Sequence, residues 1–362
     1  MSFKKPVINK PVKSIESLQI FLRGVSKWGK TTLFHSLGME KYGDPERYLL
    51  IGLGSEMGYK LLDNLQATQV ETFEELLELQ KWLIEQKGKE HNISMIGLDV
   101  VSEMLPMLEQ YVCKLSFKET GKMCKSINSA FSGYGTGQKR MESILREFFT
   151  KFSKAGIGVI LIGHTKVKSI KEKGSDDDGY NVLTSDLPNH IESLLYGMFD
   201  VILTGTVDKD VQNNKIQGTQ RRLYFRGDGY VQSGVRFGEN TDIPEYIVCE
   251  EQDNLARTVI DILEEGMRKS AINPVDKAEF KKQQKKEEAD IEIKAQKYAE
   301  SKETTGYTIE QKQDMLEKIK ANLSSIEMSD LQKIMKEYNI SSFKDAQTIP
   351  DKALDEILEF ID

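Results

Sequence analysis

An α/β fold, a mostly parallel sheet with helices on both faces, is what this sequence predicts, and two observations carry the prediction. Short apolar runs bounded by Gly or charged residues alternate with longer segments of helical periodicity, the pattern of βαβ units. The first run, Leu18-Gln-Ile-Phe-Leu22, leads directly into Gly24-Val25-Ser26-Lys27-Trp28-Gly29-Lys30-Thr31-Thr32, which has the form G-x-x-x-x-G-K-[ST]. Such a stretch belongs between a buried strand and a helix, where its backbone N–H groups and the helix dipole converge on a phosphate.

The elements follow in order. Runs at 18–23, 47–53, 93–99, 157–163 and 199–205 are continuous and apolar, as strands buried on both faces require. Helical spacing marks 30–38, 73–87, 101–115 and 139–154, and a last core helix runs from Asn254 to Lys269, closing the domain near Gly266. Between Arg221 and Phe237, aromatic and β-branched residues flank Arg226-Gly-Asp-Gly229, which predicts a hairpin centred on those glycines. Residues 273–305 turn to Lys, Glu and Gln. Lys281 to Lys286 is followed at once by Glu287 and Glu288, so the stretch reads as a solvated linker or exposed helix. Apolar residues at helical spacing in 308–322, 328–338 and 350–361 predict a small three-helix module. The expected division is an arm at 1–15, a core at 16–270, a charged linker at 271–305 and the module at 306–362.

Composition narrows the function classes. The 50 Lys and Arg against 57 Asp and Glu give a net charge of −7, so the surface as a whole does not attract nucleic acid, although a local basic groove can. Three scattered cysteines, Cys113, Cys124 and Cys249, suit neither a disulfide framework nor a zinc site. With no apolar leader or span, the expectation is a soluble cytoplasmic protein.

The glycine-rich motif is a phosphate-binding loop, in which Lys30 reaches the β- and γ-phosphates and Thr31 ligates Mg²⁺. ATP and Mg²⁺ are the expected cofactors. The strand 93–99 ends in Asp99, placed to serve the metal, with helix capping as its alternative role. After the strand 47–53 comes Glu56, at the carboxyl edge where ligands of such sheets sit, and it is the candidate to polarise water. Glu103 is its rival. The strand 157–163 ends in His164, which can sense the γ-phosphate or sit as a hydrogen-bonded core histidine. Two polar segments follow strand or helix ends. In Ser126 to Lys139, Phe131 and Tyr134 lie among Gly, Lys139 and Arg140; in Lys166 to Tyr180, Lys166, Lys168, Lys171 and Lys173 are basic. Aromatic and basic residues together suit stacking and phosphate contact with single-stranded DNA. Solvated loops without ligand are the plainer reading.

Taken together, Gly24 to Thr32, Glu56, Asp99, Ile-Gly-His164-Thr-Lys166, Asp186-Leu-Pro188 and Asp200-Val-Ile-Leu resemble the RecA-type P-loop ATPases of bacteriophages, the branch that includes single-strand annealing proteins. The resemblance spans about residues 18–250. It implies a RecA-like core in which Glu56 activates water, Asp99 serves the metal and His164 reports nucleotide state to a DNA loop at 165–185. Lys27 suits the group, while Ser26 stands where proline is frequent and His164 where RecA has glutamine. It also implies a homo-oligomeric ring or filament with a basic residue from a neighbouring subunit, for which Arg222, Arg226 and Arg236 are candidates. A helical tail that recruits a single-strand-binding protein is a further implication for 306–362, and host cytoplasm is the expected compartment for a phage protein. The expected function is DNA-stimulated ATP hydrolysis in annealing or strand exchange. A nucleotide-gated scaffold with little turnover is the alternative, and a small-molecule kinase is disfavoured because no Arg-rich lid is evident.

Overall fold

A computed structural model describes residues 14–171, 179–212, 215–238, 241–250, 254–271, 274–303, 309–322, 326, 328–338, 340, 349–358 and 360. Two compact units divide the chain, residues 1–297 and 298–362.

The first unit is built on β1 (Gln19–Gly24), α1 (Lys30–Tyr42), β2 (Tyr48–Leu53), β3 (Ala67–Val70), α2 (Phe73–Glu85), β4 (Met95–Asp99), α3 (Val101–Thr120), α4 (Thr136–Lys154) and β5 (Gly158–Ile170). It continues with β6 (Tyr180–Ser185), α5 (Asn189–Met198), β7 (Val201–Gln212), β8 (Lys215–Tyr224), β9 (Gly234–Val235), β10 (Tyr246–Val248) and α6 (Leu255–Lys269). The sheet runs β10-β8-β7-β1-β5-β4-β2-β3. From β7 to β3 every neighbour is parallel, and β8, β9 and β10 add antiparallel pairings at the other edge. The mostly parallel, helix-flanked sheet agrees with the alternation of the sequence.

Every residue of β1, β2 and β4 is buried, as helices packing on both faces demand. One side of the core gathers Leu22, Trp28, Phe34, Leu37, Ile162, Leu203 and Val259. On α4, Phe148 and Phe149 have ring centroids 5.3 Å apart, edge to face. Close approaches at the sheet centre need glycine: a Cβ on Gly24 would meet the Gly205 carbonyl at 2.9 Å, and one on Gly205 would meet the Trp28 ring at 2.5 Å.

Three expectations are corrected. The hairpin lies one strand earlier than the Gly227-Asp228-Gly229 run: β7 and β8 pair antiparallel from Thr204↔Tyr224 to Gln212↔Lys215. Asp228 instead closes a tight turn by accepting from the backbone N–H of Tyr230 and Val231. The segment after His164 does not start as a loop. β5 runs on to Ile170 and pairs antiparallel with β6, so 165–170 and 180–185 form a hairpin that projects beyond the parallel sheet. Finally, the charged stretch takes the helical of its two expected forms, as α7 (Lys277–Glu303), but it is not simply exposed. Up to residue 297 it belongs to the first unit, and one face of it packs on the rest of that unit. Phe280 and Ile291 are buried, Ile291 lies against Gly156, and Glu288 pairs with Lys41 at 2.7 Å. The apolar residues that anchor it are spaced too widely among charges to reveal a periodicity.

The second unit contains α8 (Ile309–Ala321), α9 (Met328–Glu337) and α10 (Asp351–Leu358). Leu316, Ile319, Leu331, Ile334, Leu354 and Ile357 close a separate small core. Among the described residues no helix is long and apolar enough to cross a membrane, and Cys113, Cys124 and Cys249 form no disulfide.

Candidate functional site

The register of the parallel strands brings the candidate residues to one edge. Gly24 lies opposite His164 across β1 and β5 and opposite Gly205 across β1 and β7, while Asp99 at the end of β4 lies opposite Ile162. These are the carboxyl ends of adjacent strands, where an α/β sheet opens toward a ligand.

From Gly24 the chain turns into α1 through positive-φ residues, Lys27 at 61° and Gly29 at 101°. Gly29 is the residue preceding the helix, and its conformation frees the first N–H groups of α1 to point outward. Lys30 is buried. Its Nζ donates to the carbonyls of Gly24 and Val25, both at 3.1 Å, and lies 3.5 Å from His164 Nδ1. Burial lowers the Lys30 pKa, opposed by the carboxylates of Asp99, Glu56 and Asp186. Thr31 Oγ1 donates to Asp99 Oδ2 at 2.7 Å. Asp99 is itself buried, which raises its pKa; the Thr31 bond works the other way, the Glu56 charge raises it further, and Lys30 and His164 lower it. Lys30, Thr31, Asp99, Glu56 and His164 therefore form one electrostatic cluster.

Glu56 sits in the loop after β2 and accepts from the backbone N–H of Gly58 at 2.8 Å. Its rival Glu103, on the first turn of α3, lies under the same loop, since a Cβ on Gly54 would come within 2.8 Å of Glu103 Oε2. Asp186 follows β6 at the same edge and donates its backbone N–H to the His164 carbonyl at 3.2 Å.

These residues fit a magnesium nucleotide. Among the described residues no group of three or more His, Cys, Asp and Glu could form an all-protein metal cage. A hydroxyl and one carboxylate joined at 2.7 Å are instead the donor set that Mg²⁺ shares with phosphates. Buried oxygens without a partner among the described residues, Thr165 Oγ1, Asp186 Oδ1 and Thr206 Oγ1, lie at the same edge: Thr165 and Thr206 one residue past the last parallel pairs of β5 and β7 with β1, and Asp186 just after β6. A polar ligand at that edge would satisfy them.

Of the basic and aromatic candidates, some are free to reach a ligand and some are not. Tyr134 is fully exposed at 101%. It ends a stretch in which Phe131, Ser132 and Tyr134 all take positive φ, a strained conformation for such residues. Phe131 is tied down by its backbone N–H to Ser116 Oγ at 2.8 Å. Lys139 and Arg140 are exposed on the first turns of α4, with Arg140 3.5 Å from Glu119. On the β5–β6 hairpin Lys166 and Lys171 are exposed. Lys168 is held inward by Glu192 at 2.8 Å and the Leu187 carbonyl at 2.7 Å. Lys173 lies outside the described residues. Arg222 pairs with Asp208 at 3.1 Å and Arg236 with Asp200 at 3.2 Å, while Arg226 donates to Thr241 at 3.3 Å.

Asp186, which the sequence offers only as part of the family resemblance and without a role, follows the end of β6 much as Asp99 ends β4. Arg221 is a site residue that the sequence does not single out. It donates from Nη2 to the Trp28 carbonyl at 2.6 Å, and its guanidinium carbon lies over the Trp28 ring, 5.0 Å from the centroid. Nothing in the sequence separates it from Arg222 beside it; only the alternation of sides along β8 does.

A family model described as AAA domain matches residues 16–237, more than half of the chain. No curated protein matches it.

Proposed function

The chain belongs to the AAA domain family, a family of nucleotide-binding P-loop ATPases, and from that premise we propose that it hydrolyses ATP with Mg²⁺ and couples the hydrolysis to single-stranded DNA. The observation that carries the nucleotide reading is the Thr31–Asp99 hydrogen bond of 2.7 Å beside the buried Lys30. When bound, Mg²⁺ would neutralise charge developing on the transferred phosphoryl group. Thr31 and Asp99 would hold that ion, and Lys30, which donates to the Gly24 and Val25 carbonyls, would turn to the phosphate oxygens. Glu56, positioned by its Gly58 N–H bond, orients the attacking water and accepts its proton. His164, touching Lys30 and continuous with the β5–β6 hairpin, carries the state of the phosphates toward that hairpin.

Single-stranded DNA is favoured by what the hairpin and the Tyr134 loop present. Val167, Ile170 and Tyr180 are between 41% and 47% exposed, interleaved with the exposed Lys166 and Lys171. Such surfaces stack bases and track a phosphate backbone without reading sequence. In the finer form of this reading the protein is a RecA-like phage recombination ATPase, assembled as a ring or filament, that promotes annealing or strand exchange. Arg222, Arg226 or Arg236 would then leave its present partner to act in the neighbour's site.

Phosphate release measured without DNA, with single-stranded DNA and with duplex DNA tests this. Stimulation by single strands, abolished in Lys30→Ala, supports it, and hydrolysis indifferent to all DNA overturns the coupling. Hydrolysis that survives in Glu56→Gln moves water activation to Glu103. The separate core of residues 298–362 favours a second reading, a nucleotide-gated scaffold that recruits a protein such as a single-strand-binding protein. Removing 306–362 should spare turnover under the first reading and abolish function under the second.

A further inference from the structure

Beside the phosphate-binding loop, on the outer side of α1, lies a cleft of about 480 Å³. Gly29, Thr32 and Leu33 form one wall, Cys249 and Ala256 the other, and Arg221 stands at its side. Neither Lys30 nor Thr31 faces it, so it adjoins the phosphate cradle without being part of it.

Trp28 organises this side of the loop. Its ring is 1% exposed, packed against Gly205, and its Nε1 donates to the Thr206 carbonyl at 3.0 Å. The Arg221 guanidinium carbon lies over that ring, 5.0 Å from its centroid. A planar cation with one face on an indole turns its other face away from it, and Arg221 borders the cleft. Its charge is also available. Arg222 and Arg236 have carboxylate partners, whereas the hydrogen bond of Arg221 goes to a neutral carbonyl, and among the described residues no carboxylate pairs with it.

We propose that Arg221 binds the base of a purine nucleoside triphosphate, which stacks on the guanidinium face opposite Trp28 with its sugar in the cleft beside Gly29 and Thr32. This rests on the nucleotide reading above and assigns the end of the nucleotide that the P-loop does not hold. A guanidinium between two π-systems gains from both faces, more so where water is partly excluded. Its bond to the Trp28 carbonyl keeps the plane fixed before the base arrives, which lowers the ordering cost of binding.

The test compares ATP with inorganic tripolyphosphate, each with Mg²⁺, in the wild type, Arg221→Ala and Arg221→Lys. Trp82→Phe leaves Trp28 as the single tryptophan of the two in the chain, so its emission reports occupancy alongside calorimetric affinities. Arg221→Ala should weaken ATP about tenfold while tripolyphosphate stays within about twofold, and Arg221→Lys, which keeps the charge but not the plane, should weaken ATP by several-fold. Equal loss for both ligands would show that Arg221 only shapes the loop through Trp28 and would overturn the proposal, as would unchanged ATP affinity. A wild type that binds neither ligand overturns the nucleotide reading itself.

Discussion

Thr31 Oγ1 and Asp99 Oδ2 are joined at 2.7 Å, which ties the first turn of α1 to the end of β4 across the intervening strand β5. Burial holds the Asp99 pKa above its unfolded value. The contribution of this group to stability is therefore present below the unfolded pKa and is lost as pH rises through the folded one. Where Asp99 is ionised, its buried charge weakens the ligand-free fold. Asp99→Asn keeps an acceptor for Thr31 and removes the charge, so it should raise Tm without nucleotide while ending Mg²⁺-dependent hydrolysis. Calorimetry beside a phosphate-release assay checks both, and a lowered Tm contradicts the sign.

Lys30 is the converse case. Its pKa is lowered by burial, so the charged form is strained in the ligand-free fold and needs an anion. Wild type at 100 times the ATP dissociation constant should gain about 2.7 kcal/mol of apparent stability. Lys30→Met should be at least as stable as wild type without ATP and should show none of that gain. Thermal shift with and without Mg-ATP separates the two, and a full ATP shift in the variant would relieve Lys30 of its role.

Arg23, on β1, is completely buried and pairs with Glu192 of α5 at 3.0 Å. It also donates to Thr204 and Thr184, both at 3.0 Å. Burial raises the Glu192 pKa, but hydrogen bonds from Lys168, Thr184 and Ser185 outweigh it and leave it lowered. Glu192 thus stabilises above its unfolded pKa, an effect lost as pH falls through the folded one. Glu192→Ala strands a buried guanidinium and should cost about 3–5 kcal/mol in urea unfolding at neutral pH. The double variant Arg23→Met, Glu192→Leu should recover part of that. A cost below about 1 kcal/mol for the single variant would mean that the network re-forms without the acid.

Lys87 donates to the Gly156 carbonyl at 2.7 Å, and burial lowers its pKa from 10.5 to about 8. In the unfolded chain the group keeps its proton to higher pH, so its charge opposes folding fully below about 8. That opposition fades as pH rises from 8 to 10.5. Lys87→Met should flatten the dependence of unfolding free energy on pH across this window. Equal slopes in the two proteins would place the lysine in water.

What was legible in the sequence is what local chemistry demands. The glycines and Lys30-Thr31 stand at fixed spacing because a phosphate loop needs them there, and β1, β2 and β4 are continuous apolar runs because both their faces are covered. β3 was missed because only Val70 of its four residues is buried. The outer half of β5 carries no strand signal in the sequence because Lys166, Val167, Ser169 and Ile170 are all exposed. A two-sided solvated strand carries no alternation to detect. Trp28 sits in plain view inside the motif, yet its burial depends on Gly205, whose proximity comes from strand order rather than sequence distance.

The unbroken path of β5 from Gly158 to Ile170 makes the sheet and the hairpin a single rod. At ~3.3 Å per residue, the seven residues beyond Gly163 extend on the order of 20 Å past the edge where Lys30 meets His164. A tilt of ~5° at that fulcrum carries the far end by ~2 Å. A sub-ångström adjustment around a phosphate would thus reach Ile170 magnified, as travel rather than as strain.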